Sequence, residues 1–293
     1  MPNLKEVRNR ITSVGSTMQI TSAMKMVSAA KLKRAQDAIT QMRPYAEKLR
    51  EILENVSGSL DASENVFSRN TGGKNVLIIA ISSNRGLAGA FNANVIKRTW
   101  SLIRNEFQGQ NITVLPVGKK AYDAFRKTDY HISGQDLPHN LSELFDGLSF
   151  DKVAPVADKI MSAFANKEFD KVVMVYNQFK NAAVQLTMSE QLLPIVPPAA
   201  AEGKKINVDY IYEPGKDVII NDLIPRSIKT QFYKALLDSF ASEHGARMTA
   251  MHKATDNAKE MLRMLKISYN KARQAAITND ILEIVGGAEA LNG

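Results

Sequence analysis

The stretch from Arg226 to Val285 constrains this chain most, because it contains no proline and a single glycine, Gly245. Alanine, methionine, leucine and lysine, all good helix formers, dominate it. At ~1.5 Å rise per residue, a helix of about 60 residues extends roughly 90 Å, whereas a compact domain of this chain length is only about 40 Å across. Most of such a helix cannot be buried inside its own domain. We therefore expect a mechanical or assembly role in which the helix reaches into a partner.

A second long helix is predicted near the N-terminus. Residues 3–56 contain one glycine, Gly15, and one proline, Pro44, which we expect to kink or break the helix without ending it. Apolar residues recur there in steps of three and four, which is the heptad pattern of a coiled-coil seam. The seam consists of Leu4, Val7, Ile11, Val14 and Met18, continued less strictly by Thr21, Met24, Val27 and Lys31.

The C-terminal stretch carries a seam of its own, formed by Met251, Ala254, Ala258, Met261, Leu265, Ser268, Ala272 and Ala275. Two seams at opposite ends of one chain predict an antiparallel coiled coil, since the ends of a domain commonly lie side by side. We expect the C-terminal helix to begin at Asp217 or Asn221. We expect it to end at Gly286 and Gly287, because glycine suits a left-handed helix stop.

The middle of the chain predicts an α/β domain. Strand patterns occur at 74–84, 111–118, 170–179, 182–196 and 208–214, and helical segments separate the first three. Strands that alternate with helices indicate βαβ units and a mainly parallel sheet. The expected fold class is α/β, with a Rossmann-like domain over 74–213 and a long antiparallel coiled coil formed by residues 1–58 and 214–293.

Composition narrows the function. The chain of 293 residues contains no cysteine, which excludes disulfides, thiolate metal sites and a cysteine nucleophile. No apolar run approaches the length of a transmembrane helix, so no direct membrane insertion is expected. The net charge of +8 is concentrated in residues 1–34, which hold seven basic side chains and one acidic. Such a stripe can bind nucleic acid, anionic lipid or acidic protein loops.

The segment from Ser83 to Gly89, SNRGLAG, lies between a predicted strand and a predicted helix, where a phosphate-binding turn would occur. Its glycine spacing matches neither GxGxxG nor GxxxxGK[ST]. Three interpretations stay open: a nucleotide site, a tight strand–helix connection, or an exposed basic turn in which Arg85 meets an acidic partner.

No catalytic or metal-binding pattern emerges. The histidines lack metal-ligand spacing, and we predict that His244 and His252 are solvated. Neither HExxH nor GxSxG occurs. The basic segment 25–34 is either a solvated helix face or a face that contacts acidic loops or phosphates. Arg273 and Gln274 project about 100° apart on a helix, so they can reach two different partners.

Several segments together resemble the gamma subunits of F-type ATP synthases, and the resemblance covers the whole chain. The matching segments are KEVRNRITSV (5–14), QITSAMKMVSAAKLKRAQ (19–36), ISSNRGLAGAFN (81–92), ARMTAMHKATDNA (246–258) and YNKARQAAITNDILEIVGGAEAL (269–291). The last one contains the family's terminal signature and departs from it at Asp280, where glutamate is typical.

This resemblance implies a central rotor stalk that performs no bond chemistry and needs no cofactor. The coiled coil would stand inside a ring of three alpha and three beta subunits. The α/β domain would bind the epsilon subunit and the membrane c-ring, without binding nucleotide. Contacts with beta subunits are implied for Met24, Lys25, Ala88, Arg247, Arg273 and Gln274, and we add Arg85 as the basic residue of the turn.

The resemblance also bears on regulation and location. The chain has no cysteine-containing insertion, so thiol regulation is not expected. No transit peptide precedes MPNLKEVRNR, which favours a bacterial origin or a processed form. We therefore expect a peripheral protein at the cytoplasmic face of the bacterial inner membrane.

Two other functions are open on the residues alone. A coiled-coil nucleic-acid-binding protein would use the basic N-terminal stripe and show steeply salt-dependent DNA binding. A Rossmann enzyme with long oligomerisation helices would be stabilised by a nucleotide.

Overall fold

Two long helices dominate the computed structural model, which describes residues 4–57, 66–69, 72–132, 137–139, 141–195 and 216–292. Helix α1 spans Leu4–Ser57 and continues through Pro44. Helix α5 spans Lys216–Asn292 and continues through Pro225. The predicted strand at 208–214 lies outside the described residues.

The predicted end of α5 at Gly286 and Gly287 is wrong, since the helix runs on to Asn292. Neither glycine has a left-handed φ, and, apart from the helix's own nearby backbone and chain neighbours, no described atom lies within 4 Å of the position that a Cβ would take at either. Glycine allows a left-handed helix stop but does not require one. Because no packed neighbour forces the backbone out of the helix at these two positions, the helix continues.

The chain divides into two compact units, of which the first combines Met1–Ser28 with Met248–Gly293. In this unit the Thr21 and Thr255 hydroxyls lie 2.9 Å apart, and Lys25 Nζ lies 3.4 Å from His252 Nδ1. The partner number falls as the α1 number rises, so the two helices run antiparallel. This pairing confirms the predicted antiparallel coiled coil.

The seam differs in detail from its predicted course. Val27 is 58 % exposed and Met261 is 52 % exposed, whereas Ser28 and Thr255 are buried. The predicted run from Thr21 through Met24 to Val27 takes two successive steps of three, which is shorter than the heptad average of 3.5. Val27 therefore rotates out of the seam and Ser28 takes the inner position.

The second unit, Ala29–Arg247, contains the four-stranded sheet. The strands are β1 (Asn75–Ile81), β2 (Asn111–Val117), β3 (Lys171–Phe179) and β4 (Gln185–Leu193), in the order β2-β1-β3-β4. The first three are parallel, and β4 joins β3 antiparallel as a hairpin. The sheet is thus mainly parallel, which confirms the predicted fold class.

Helices cover both faces of this sheet. They are α2 (Phe91–Ser101, extended by a π turn over Leu102–Glu106), α3 (Lys119–Phe125) and α4 (Phe150–Ala165). Alternate β1 residues enter two cores, because successive strand side chains point to opposite faces. Leu77, Ile79 and Ile81 pack with α4 and the first part of α5. Val76, Ile78 and Ala80 pack with α2 and α3.

Candidate partner-binding site

The β1–α2 turn occupies the position of a phosphate-binding loop, and its own oxygen atoms bond the neighbouring helix. Three backbone amides open α3, and each donates to a residue that follows β1. Lys119 N donates to Asn84 Oδ1 at 3.1 Å, Lys120 N to Ser83 O at 3.1 Å, and Ala121 N to Ser82 Oγ at 2.7 Å. These donors would otherwise be available to an anion at a helix N-terminus.

Helix α5 packs at the carboxyl ends of β1 and β3. This is the point where the strand order reverses, and nucleotides bind there in open α/β sheets. Ala246 packs against Ala88 and Phe91. A Cβ added to Gly245 would lie 3.2 Å from the Ala182 backbone, so the helix passes close to the β3–β4 hairpin. Among the three interpretations, these contacts fit a tight strand–helix connection better than a nucleotide site.

Arg247 of α5 holds the β1–α2 turn through hydrogen bonds to its backbone. It is 6 % exposed, and its guanidinium lies 2.5 Å from the Glu243 carboxylate one helical turn earlier. A second nitrogen donates to the carbonyls of Arg85 at 3.1 Å and Gly86 at 3.2 Å. Burial raises the pKa of Glu243, and the Arg247 charge acts in the opposite direction. The buried carboxylate therefore depends on Arg247 for its partner.

His244 contradicts its prediction as a solvated residue, because it is only 5 % exposed. Its ring meets Phe240 edge-on at 4.5 Å between centroids. Neither ring nitrogen has a hydrogen-bond partner within the described part of the chain. Burial, followed by the charges of Arg247 and Lys31, lowers its pKa to about 3, so the imidazole is neutral in the folded chain. His244 follows Phe240 by four residues, so the helical period places both side chains on the same inner face of α5.

The predicted contact residues fall into three groups. Arg85, Ala88 and Arg247 come together at the turn of the second unit, where Arg85 is exposed while Ala88 and Arg247 are buried. Met24 and Lys25 are on α1 in the first unit, where Met24 is half-buried. Arg273 and Gln274 are exposed on α5 of the same unit, about 30 Å along the helix from His252 at ~1.5 Å per residue.

Sequence reasoning missed the residues that hold the turn. Glu243 is four residues before Arg247, a spacing that signals an ion pair on a helix. Asn84 bonds both α3 and the Ser142 carbonyl, at 2.7 Å for the latter. Leu87 is 66 % exposed with a φ of 62°, and nothing in its sequence context indicates that conformation.

In the described residues, no cluster of His, Cys, Asp or Glu side chains is arranged to hold a metal ion. Likewise, none of the described helices combines the length and apolar character needed to cross a bilayer. The fold and site define a class: a coiled-coil protein with a Rossmann-like domain, in which a long helix packs at the carboxyl ends of the parallel strands.

The family follows from comparison with known proteins. The family model described as ATP synthase matches residues 3–291. The ATP synthase gamma chain of Christiangramia forsetii is 58 % identical over 294 residues, covering all of both chains. That of Flavobacterium johnsoniae is also 58 % identical, over 297 residues and again all of both chains. This chain belongs to the ATP synthase gamma-chain family.

A solved structure shares the fold. A chain in the Euglena gracilis mitochondrial ATP synthase, described as OSCP/F1/c-ring in rotational state 3, aligns with a TM-score of 0.70 and 23 % identity. The alignment covers 98 % of this chain and 94 % of that one. The family membership confirms the resemblance found in the sequence, and it supports neither the nucleic-acid-binding alternative nor the enzyme alternative.

Proposed function

We propose that this chain is the central rotating shaft of an F-type ATP synthase. It couples proton-driven rotation of the c-ring to conformational change at the catalytic beta subunits, and it is not itself catalytic. The carrying observation is identity of 58 % over the full length of both chains with proteins named ATP synthase gamma chain. The antiparallel pairing of α1 and α5 in the first unit supplies the element that a shaft requires.

The mechanism is one of differential contact energy. A ligand shifts a conformational equilibrium only by its difference in affinity for the two states. The two paired helices differ in sequence, so the shaft presents a different face to each of three beta subunits and favours a different conformation in each. Rotation then moves each catalytic site through the same series of affinities, without any bond made or broken on the shaft.

The partners are three alpha and three beta subunits, the epsilon subunit and the membrane c-ring. Support comes from the description of the Euglena structure, which names F1 and the c-ring in the assembly that contains a chain of this fold. We assign the chain to the cytoplasmic face of a bacterial inner membrane as a peripheral subunit, because the two relatives named above are bacterial gamma chains.

The seven predicted contact residues divide by exposure. Arg85, Arg273 and Gln274 are exposed, and we propose that they touch beta subunits directly. Met24 and Lys25 contribute their exposed parts. Ala88 and Arg247 are buried, so they support the same surface from beneath. We further propose functional boundaries at 1–58 and 214–293 for the coiled coil and at 74–213 for the Rossmann-like domain.

Co-purification tests the assignment. A tagged chain expressed with the alpha, beta and epsilon subunits is expected to recover all three with ATPase activity.

A variant that carries both Arg273→Ala and Gln274→Ala should show coupled ATP synthesis lowered about tenfold, a loss of about 1.4 kcal/mol of contact energy. The fold should change by less than about 0.5 kcal/mol, because both side chains are exposed.

A matched control is Lys259→Ala with Glu260→Ala, which removes two exposed side chains from the same helix. This variant should keep full synthesis. Normal synthesis in the Arg273/Gln274 variant would contradict the assigned contact, and failure to recover alpha and beta subunits would contradict the proposed function itself.

A further inference from the structure

A groove of about 500 Å³ lies between helices α1, α4 and α5 of the second unit. Helix α1 lines it with Ala38, Met42 and Tyr45, and these residues are four and three apart, so they share one helix face. Helix α5 lines it from Arg226 to Tyr233, again with residues three or four apart. Each lining face covers about 10 Å at ~1.5 Å per residue. The groove is therefore elongated along the two long helices.

The walls of the groove are largely aromatic and open to solvent. Tyr45 is 47 % exposed and Phe150, the first residue of α4, is 38 % exposed. The Phe150 ring meets the Tyr233 ring edge-on, with 5.7 Å between the centroids. Small-molecule sites are concave, mainly apolar and roughly 300–1,000 Å³ in volume, whereas a stable protein interface covers about 800 Å² on each partner. The size of the groove favours a small ligand over a protein segment.

The two ends of the groove differ in charge. Arg226 is exposed, and its guanidinium has no hydrogen-bond or carboxylate partner among the described residues. At the other end of the α5 face, burial followed by the charge of Asp151 raises the pKa of the Tyr233 hydroxyl. The field of that acid therefore reaches the Tyr233 end. An anionic group fits beside Arg226, and an apolar body fits along the aromatic walls towards Phe150 and Tyr233.

We infer that this groove binds a single-chain amphiphile with an anionic head, in which Arg226 pairs with the head and the aromatic walls cover the chain. A fatty carboxylate and a single-chain lipid phosphate share that chemistry. The inference goes beyond the proposed function and does not depend on it. Because α1 and α5 both line the groove, the ligand joins two helices of the second unit. A ligand that binds only the folded chain raises its stability.

Calorimetric titration of the full chain with decanoate, below the concentration at which decanoate forms micelles, tests the site. We expect saturable binding at one site and a raised Tm. Decyltrimethylammonium has a chain of the same length with the opposite charge, so it should bind at least about tenfold more weakly. Decyl phosphate distinguishes the two sources of the ligand: tighter binding than decanoate indicates a lipid phosphate, and weaker binding indicates a fatty carboxylate.

Two variants test the residues that form the site. Arg226→Glu should weaken decanoate binding at least about tenfold, because it replaces the partner of the head with a like charge. Arg8→Glu is the matched control, since it makes the same charge change at an exposed position of α1 in the first unit and should leave binding unchanged. Ala38→Phe fills the groove without changing its charge and should abolish binding, while circular dichroism reports an unchanged helix content.

Equal weakening in the Arg226→Glu and Arg8→Glu variants would show general attraction to a basic protein and would overturn the inference. Equal affinity for decanoate and decyltrimethylammonium, or undiminished decanoate binding in a folded Ala38→Phe variant, would also overturn it. If decanoate does not bind and Ala38→Phe instead loses the epsilon subunit on co-purification, the groove holds a protein segment and the inference is wrong. The Arg226→Glu comparison decides the matter even where Ala38→Phe fails to fold.

Discussion

His244 illustrates how a single buried side chain makes the stability of the second unit depend on pH. The unfolded imidazole binds a proton below about pH 6.5, whereas burial and the charges of Arg247 and Lys31 lower the folded pKa to about 3. Above pH 6.5 both states are neutral at this residue. Between pH 6.5 and 3 the unfolded state binds the extra proton, so the free energy of unfolding falls as the pH falls.

We predict that His244→Leu reduces this acid sensitivity. The loss of unfolding free energy between pH 7 and pH 5 should shrink by about 2 kcal/mol, at about 1.4 kcal/mol per pH unit below about 6.5. Urea unfolding of the isolated chain, followed by circular dichroism at both pH values, measures it. His244→Gln is the control: it should flatten the pH profile equally while keeping a polar side chain. An unchanged profile in both variants would show that His244 is accessible to protons when folded.

Glycine is required at the end of β2 for a reason that lies in the backbone. Gly118 has a φ of 90°, and a Cβ there would lie 2.3 Å from the Ser82 carbonyl oxygen. We predict that Gly118→Ala costs at least about 3 kcal/mol, from backbone strain and the steric clash together. Gly89→Ala, with a φ of 57° and open space around its Cβ position, should cost only about 1–2 kcal/mol. Equal costs in thermal unfolding would refute the steric account.

The sequence identified the candidate contact residues, but it did not show which of them are exposed and which are buried. Ala88 and Arg247 were predicted to face a partner, yet the structure buries both, at 1 % and 6 % exposure. Burial at this turn depends on α5 reaching the carboxyl ends of β1 and β3. The two segments are far apart in sequence, so no local pattern carries that information.

At the scale of elements, the coiled coil of the first unit contains a buried polar pair, Thr21 and Thr255. Each threonine hydroxyl also approaches a carbonyl of its own helix, Met18 for Thr21 at 3.1 Å and Met251 for Thr255 at 2.8 Å. The pair therefore has three close contacts but only two hydroxyl protons to donate. Replacing one partner leaves the other hydroxyl with a weaker set of bonds in a buried position.

A double-mutant cycle on this pair should be non-additive. We predict that Thr21→Val and Thr255→Val each cost about 1–2 kcal/mol, while the double variant costs less than their sum by at least about 0.5 kcal/mol. Thermal unfolding of the isolated chain measures the cycle, with Thr12→Val as the control because Thr12 is exposed on α1. Strict additivity would mean that the hydroxyls do not interact.

The elements themselves were largely predictable. Both long helices and the first four strand patterns lie where the sequence predicted them, apart from the C-terminal end of α5, because proline and apolar periodicity act locally. The residues of the coiled-coil seam were predicted less accurately. Val27 and Met261 are apolar but exposed, whereas Ser28 and Thr255 occupy buried positions instead. A heptad pattern rich in alanine and methionine does not distinguish neighbouring positions, so only the partner helix decides which residue faces inward.

At the scale of the molecule, the fold explains why a Rossmann-like sheet serves a mechanical protein. Oxygen atoms of Ser82, Ser83 and Asn84 accept from the backbone amides that open α3, and Ala246 of α5 packs beside the same turn. The sequence showed that the glycine fingerprint was missing. It could not show what replaced it, since that replacement depends on the long-range packing of α5.

The proposed shaft turns inside a ring of catalytic subunits, and single-molecule rotation measures that turning. The alpha–beta ring would be fixed to a surface, with a bead attached to the chain through Val184→Cys, the only cysteine in that variant. With ATP present, we predict unidirectional rotation in three steps per turn, one for each beta subunit. A ring that hydrolyses ATP at the normal rate while the bead stays still would show that the chain is not the rotating shaft.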